Sequence, residues 1–364
     1  MKILFYIHAL SSGGAERVMA TLANHFAERG DEVTISCDAS IETKFPISER
    51  VRIYDHRQGC YGTKLRRKFA PFRMFHTFHN MRAIESEFKP DVAISFITTF
   101  NIYTILALLT RKVPVIVSEH THVGVKLSLR EWIGREVTYP FANAITVLTR
   151  RDYNLWKKRY PGVVRMPNPC ESLSTTIDNN VKKVKVVLAA GRVTSWHIKG
   201  FDNLIRSWCM ICHNFPDWKL KIAGSVDNKS VDYLKRIIEE NHGINVEFLG
   251  FRDDVYDLMA KSEVYVLSSR REGLPMTLIE AMSKGCCCVS FDVETGPSDI
   301  ITNNKNGILV KNQDVKELSI ALRNVMEDDD LRQRLGKAAS QAVMRYDVWN
   351  IITRWDILFK KIFK

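Results

Sequence analysis

The stretch KVKVVLAAGRVTSWHIKG, residues 183–200, reads as strand, loop and helix approach. Its first half is an apolar, β-branched run of the kind a fully buried parallel strand requires. The loop begins at Gly191 and places Arg192 and Lys199 seven residues apart before a helix expected from Phe201. The alternation continues toward the C-terminus. KLKIAG (219–224), VEFLG (246–250), EVYVLS (263–268) and CCVSF (287–291) are expected strands, with helices near 230–241 and over 275–284. It runs toward the N-terminus as well. KILFYI (2–7), EVTIS (32–36), DVAISF (91–96), VPVIVS (113–118) and AITVLT (144–149) are expected strands, with a helix from Ala15 to Arg29 closed by Gly30. Strands alternating with helices predict parallel sheets of βαβ units.

The polar stretch ESLSTTIDNN (171–180) has no apolar period and reads as a linker. The expected fold is therefore α/β, two doubly wound Rossmann-like domains facing each other across a cleft. Residues 1–170 form the first domain, 171–182 the linker and 183–345 the second domain. Residues 346–364 are an amphipathic helix expected to pack back across the junction, with membrane contact as the alternative. Ligands of such sheets bind outside the carboxyl ends of the strands.

Composition agrees with this division. The chain has 364 residues, 45% hydrophobic and 26% charged, which excludes collagen-like, low-complexity and wholly disordered classes. No run approaches the ~20 apolar residues of a membrane span. The N-terminus lacks a small-residue cleavage site, so it is expected to be a buried strand and the protein cytoplasmic. Net charge is +12, and residues 1–170 hold ten of that excess. An anionic surface facing the first half alone is implied. Lys64, Arg66, Arg67, Lys68 and Arg73, interleaved with Phe69, Phe72, Phe75 and Phe78, resemble a segment that lies on a bilayer. No nucleic-acid motif accompanies the charge. The eight cysteines include a lone CxxC at Cys209–Cys212 with no second pair for a zinc site, and read as reduced, buried thiols.

Four segments carry chemistry. In HALSSGGAER (8–17), Gly13 and Gly14 let backbone N–H groups approach an anion, although the GxGxxG fingerprint is missing. In the loop at 191–200, Arg192 offers bidentate contact and Lys199 a point charge for a phosphate pair. In SSRREGLPMTLIEAMSKG (268–285), Glu272 and Gly273 precede Pro275, expected at the first helical position. Met276 and Thr277 present free backbone N–H groups, and Glu280 follows eight residues after Glu272. Carboxylates beside an anion site make sense if they accept hydroxyls of a sugar and a ribose. In VPVIVSEHTH (113–122), Glu119, His120 and His122 follow a buried strand.

Together these pieces resemble the retaining, nucleotide-sugar-dependent glycosyltransferases of the family-4 type, with the GT-B fold. GGAER, the GR…KG…LI pattern at 191–205, EGLPMTLIEAMSKG and GPSDIITNNKNGILV (296–310) carry the resemblance over nearly the whole chain. It implies that Arg192 and Lys199 bind the donor diphosphate, Glu272 the transferred sugar and Glu280 the ribose. His120 would stand near the reaction centre, and Gly13–Gly14 near the donor phosphates or the acceptor. The implied activity moves a hexose or N-acetylhexosamine from a nucleotide-diphosphate sugar to a lipid-linked saccharide in surface polysaccharide biosynthesis, on the inner face of the cytoplasmic membrane. No metal or other cofactor is expected: no convincing DxD is present, and Asp253–Asp254 and Asp328–Asp330 read as helix-start acids. Residues 294–299 depart from the family's glycine-rich run. A nucleotide-sugar epimerase on the same fold and a non-catalytic sugar-nucleotide-binding protein are the alternatives.

Overall fold

The computed structural model describes residues 1–11, 13–57, 70–120, 124, 127–173 and 181–364, with residues 70–74 and 172 described by backbone alone. Lys64, Arg66, Arg67, Lys68 and Phe69 of the expected membrane surface, His122, Cys60 and most of the expected linker lie outside the described residues. The chain forms two compact units. The first comprises Met1–Pro169 and Val348–Lys364, and the second Cys170–Asp347.

The first unit runs β1 (Lys2–Tyr6), α1 (Gly14–Glu28), β2 (Glu32–Cys37), β3 (Val51–Asp55), α2 (Ala70–Phe88), β4 (Val92–Phe96), α3 (Thr98–Leu108), β5 (Val115–Glu119), α4 (Leu129–Thr138), β6 (Ala144–Val147), α5 (Arg150–Trp156) and β7 (Val163–Arg165). Its seven strands are all parallel in the order β3-β2-β1-β4-β5-β6-β7. The two-residue period of a strand sorts β1 onto both faces of the sheet. Ile3 and Phe5 join one core cluster with α1, while Leu4 and Tyr6 join another with α2 and α3. Burial on both faces explains why this strand is continuously apolar.

The C-terminal segment, expected as a helix packing back across the junction, forms α12 (Val348–Ile362) and belongs to the first unit. Its Ile351, Trp355 and Phe359 share a core cluster with Phe5 and Phe26. Arg29 at the end of α1 donates two 2.8 Å bonds to Asp356. Buried aromatic anchors of this size are worth about 3–5 kcal/mol each when truncated.

The second unit runs β8 (Val184–Ala190), α6 (Phe201–Cys209), β9 (Lys219–Ala223), α7 (Asn228–Glu240), β10 (Val246–Gly250), α8 (Val255–Lys261), β11 (Ser262–Leu267), α9 (Met276–Ser283), β12 (Cys287–Asp292), β13 (Ile308–Lys311), α10 (Val315–Glu327) and α11 (Asp329–Val343). Its six strands are parallel in the order β10-β9-β8-β11-β12-β13. Asp254 and Asp328 stand at the N-caps of α8 and α11, and Asp328 accepts the Leu331 N–H at 2.8 Å. The CxxC straddles the end of α6. Cys37, Cys170, Cys209, Cys212 and Cys286–Cys288 are all buried thiols outside any disulfide, and burial pushes the Cys287 thiol up to about 12.

Candidate active site

In the second unit the chain winds outward from β8 in both directions, toward β9 on one side and β11 on the other. The carboxyl ends of the two strands at this switch point leave a crevice where doubly wound sheets take ligands. The loop after β8 brings Arg192 and Lys199 there, and the loop after β11 brings Glu272. Gly200 permits their close approach: its φ is +66°, and a Cβ would collide with the Ser268 carbonyl. Ser268 Oγ donates to the Lys199 carbonyl at 2.9 Å, and the Arg270 N–H to Ile198 O at 2.8 Å. The Arg270 guanidinium forks onto Asp202 with two 2.8 Å bonds. Two loops stitched in this way set Lys199 Nζ 2.7 Å from Glu272 Oε1. The same oxygen accepts from Ser269 Oγ at 2.6 Å.

The departure at residues 294–299 braces this corner. Thr295 Oγ1 donates to the Glu272 carbonyl, and Gly296, at φ +99°, leaves room for the Gly273 carbonyl and the Pro275 ring. Pro275, expected at the first helical position, is the N-cap instead, in extended conformation, and α9 starts one residue later at Met276. The first intrahelical bond runs from Leu278 N to Pro275 O at 3.1 Å. The N–H groups of Met276 and Thr277 therefore precede the hydrogen-bonded ladder at the positive end of the helix. Glu280, one turn on, is buried and accepts the Tyr256 hydroxyl at 3.2 Å. Arg192 is exposed and makes no ion pair with the described residues. Gly224 packs on the Gly191 carbonyl, Phe251 is exposed, and Arg252 forks onto Asp254 at 2.7 and 2.6 Å. The structure thus joins Lys199, Glu272 and the N-terminus of α9, with Arg192 in the same loop as Lys199.

The first unit's switch point lies between β1 and β4. Gly13 is the N-cap of α1 and Gly14 its first residue. The Glu16 carboxylate folds back over Gly13, where a Cβ would stand, and Ser11 Oγ lies 3.4 Å from it. An anion at this turn would have to displace that carboxylate. His120, after β5, stacks on Phe96 with ring centroids 4.4 Å apart. Thr146 Oγ1 donates to Ser118 Oγ at 2.8 Å, which leaves the Ser118 hydroxyl to donate to His120 Nε2 at 3.1 Å. These contacts hold the His120 ring in place through Ser118. Burial lowers the His120 pKa to about 3, so the ring is neutral. Glu119, expected to point with His120 from the strand end, turns inward. It is held by Thr98 Oγ1 at 2.9 Å, Asn101 Nδ2 at 3.3 Å and the Tyr139 hydroxyl, and burial raises its pKa.

Sequence reading missed a second polar group at this edge. Arg57, counted with the basic run, donates from Nη2 to His8 Nε2 at 3.1 Å and sets Nε 3.2 Å from Asp38. His56 beside it is buried against Phe100, with Nε2 unpaired and its pKa lowered to about 4 by burial. Each follows the end of β1, β2 or β3, and nothing in the local pattern announces that the three ends converge. Of the other basic residues, Arg52 pairs with Glu87 at 2.7 Å and Arg82 Nε donates to the Ala107 carbonyl at 2.6 Å. Phe72 and Arg73 fall on α2, described there by backbone alone. Phe75 is exposed while Phe78 packs edge-on to Tyr103. Among the described residues no group of three or more His, Cys, Asp or Glu side chains could hold a metal ion, and no helix is long and apolar enough to cross a membrane.

Two doubly wound units, each with polar groups at its sheet's carboxyl edge, make up a two-domain α/β architecture, and comparisons with known proteins give its family. The model for "Glycosyltransferase Family 4" matches residues 12–170, and that for "Glycosyl transferases group 1" matches 175–342. The chain is 31% identical, over its whole length and 99% of the relative's, to a Campylobacter jejuni GalNAc-alpha-(1->4)-GalNAc-alpha-(1->3)-diNAcBac-PP-undecaprenol alpha-1,4-N-acetyl-D-galactosaminyltransferase. It is 26% identical, over 98% of this chain and 99% of the other, to the amylovoran biosynthesis glycosyltransferase AmsD of Erwinia amylovora. Among solved structures, Anabaena HepE in complex with UDP superposes with a TM-score of 0.80 at 18% identity, covering 99% of this chain and all of the other. The chain belongs to the group 1, family-4-type glycosyltransferases and has their GT-B fold; it is a glycosyltransferase.

Proposed function

We propose that this enzyme moves a hexosyl or N-acetylhexosaminyl unit from a nucleoside-diphosphate sugar to a lipid-linked saccharide, with retention at the anomeric carbon. The pathway is the assembly of a surface polysaccharide such as O-antigen, capsule or exopolysaccharide. The observation that carries this reading is the Lys199–Glu272 pair, 2.7 Å apart beside the N-terminus of α9. A cation and a helix N-terminus suit a diphosphate, and a carboxylate between them suits sugar hydroxyls. The Lys199 ammonium carries three protons, so it holds Glu272 and still faces a phosphate oxygen.

In the reaction the C1–O bond to the donor phosphate breaks. An acceptor hydroxyl oxygen bonds to C1 on the same face, and its proton passes to the leaving phosphate. Negative charge grows on the diphosphate, where Arg192, Lys199 and the N–H groups of Gly273, Met276 and Thr277 stabilise it most in the transition state. Glu272 orients the transferred sugar and Glu280 the ribose. Neutral His120 offers a ring nitrogen to the reacting sugar, and the Gly13–Gly14 turn lies against the acceptor or the donor phosphates. Neither a metal nor an organic cofactor takes part. The enzyme works at the inner face of the cytoplasmic membrane, with Lys64–Arg73 on anionic lipid.

A thermal-shift panel of nucleoside diphosphates and their sugars tests the donor site, because a native-state ligand raises the melting temperature with occupancy. Stabilisation by one nucleotide class, lost in Arg192→Ala and Lys199→Ala, is the expected result, unchanged by EDTA. Stabilisation by none of them, with the wild type folded, sinks the reading. The anomeric configuration of a product made on a lipid-linked acceptor decides retention.

A further inference from the structure

Helix α4, LREWIGREVT, is packed with its polar side inward. Glu131 accepts the Thr99 hydroxyl of α3 at 2.8 Å, Gly134 lies against Ile102 of α3, Arg135 sits 5.1 Å over the Trp156 ring of α5, and Thr138 is buried. Its apolar side faces out. Leu129, Trp132, Ile133 and Val137 follow the i, i+3, i+4, i+8 spacing of one helix face, with Phe141 just beyond, and they are 71%, 45%, 47%, 60% and 59% exposed. The helix is firmly started, by a capping box in which Ser128 and Glu131 bond each other's backbone N–H. A surface helix normally shows the reverse orientation, and a contiguous exposed apolar stripe marks a surface that is covered in use.

The surroundings indicate what covers it. Arg130 is exposed on the edge of the stripe. The neighbouring α5 and the turn after it carry Arg150, Arg151, Lys157, Lys158 and Arg159, all exposed, against one acid, Asp152, which is buried on Thr149. Arg159 reaches back to Glu136 of α4 at 3.1 Å. An apolar stripe with exposed cations on its own helix and on the neighbouring α5 and the turn after it fits the boundary between headgroups and acyl chains of an anionic bilayer. It fits a second copy of the chain poorly, because a twofold contact would set one basic rim against the other.

We propose that α4 is an interfacial helix that seats Leu129, Trp132, Ile133, Val137 and Phe141 in an anionic membrane surface, with the α5 cations on lipid phosphates. This contact is separate from the 64–73 segment, and its test does not depend on turnover or donor binding. The experiment is flotation of the full chain with phosphatidylglycerol-containing and pure phosphatidylcholine vesicles, read together with tryptophan emission. The wild type is expected to bind the anionic vesicles, less so in high salt. Its emission should shift blue by an amount that Trp132→Phe abolishes. Trp132→Gln with Ile133→Gln should cut partitioning about tenfold or more, and Lys157→Gln or Lys158→Gln about fivefold each. Unchanged thermal unfolding shows that the variants fold. Equal vesicle binding by the folded Trp132/Ile133 variant overturns the proposal. So does a wild-type dimer in sedimentation that this variant dissociates while vesicle binding persists. Neutralising Lys64, Arg66, Arg67 and Lys68 must leave the Trp132 shift in place; its loss assigns membrane contact to that segment alone.

Discussion

The two switch points of this enzyme handle charge in opposite ways. In the second unit Lys199 and Glu272 form a partly exposed ion pair, with Arg192 exposed in the same loop as Lys199. In the first unit burial keeps the groups neutral: His120 and His56 lose their affinity for protons and Glu119 gains it, while Arg57 is compensated by Asp38. A site for a dianionic diphosphate needs charge ready in place, because preset charge stabilises the transition state without reorganisation. Buried neutral imidazoles instead present directed donors and acceptors without net charge.

The largest effect expected from this contrast is on turnover. Lys199→Ala should lower kcat/KM by about 10²–10³, the usual size for one lost charge-stabilising donor, and abolish the thermal shift by donor nucleotide. Glu272→Gln should keep nucleotide binding and lose turnover. If Lys199→Ala transfers sugar at the wild-type rate, the second unit's charge is structural and the contrast fails.

Next comes backbone strain in the two glycine loops. Gly200→Ala must break a contact with the Ser268 carbonyl at positive φ and should cost about 2–3 kcal/mol. Gly13→Ala meets only the mobile end of Glu16 and should cost less than about 0.5 kcal/mol. Urea midpoints of the two variants measure the difference directly, and equal costs would show that the first loop is as tightly built as the second.

A smaller effect concerns pH. His56 and His120 have native pKa values near 4 and 3, below the ordinary 6.5. Below pH 6.5 the unfolded chain takes up protons that the native state refuses, so stability is complete above 6.5 and falls as the pH drops toward 4. His56→Gln should remove about 1–2 kcal/mol of the loss between pH 7 and 5. Parallel urea titrations of wild type and variant at the two pH values read it. An identical loss in both would mean that His56 is accessible and charged. The smallest change is Tyr256→Phe, which removes one hydrogen bond to buried Glu280 and should cost about 0.5–1.5 kcal/mol in thermal unfolding.

Legibility in the sequence followed burial. Interior strands such as β1, β4, β5 and β8 were readable because most of their residues are buried and the run is mainly apolar. β3, β7 and β13 escaped because each is the edge of its sheet, is short and mixes buried residues with partly or fully exposed ones: VRIYD, VVR and ILVK. The loop residues of the second unit were readable because small residues, cations and carboxylates lie within short loops adjoining strands. The His8–Arg57–Asp38 group was not, because its members are 30 and 19 residues apart in chain order and meet only after β1, β2 and β3 have paired.

The sequence by itself determined the alternation of strand and helix, the division near residue 170, the loops bearing Arg192, Lys199 and Glu272 with the helix bearing Glu280, and the basic excess of the first half. These are local or compositional properties, and short windows carry them. Only the tertiary structure decided that Lys199 and Glu272, 73 residues apart, form one ion pair. The fold also turned Glu119 inward, gave the C-terminal helix to the first unit and left the apolar side of α4 in solvent. Those outcomes depend on which surfaces meet when the sheets assemble. A residue's neighbours across a fold leave no period in its own stretch of chain.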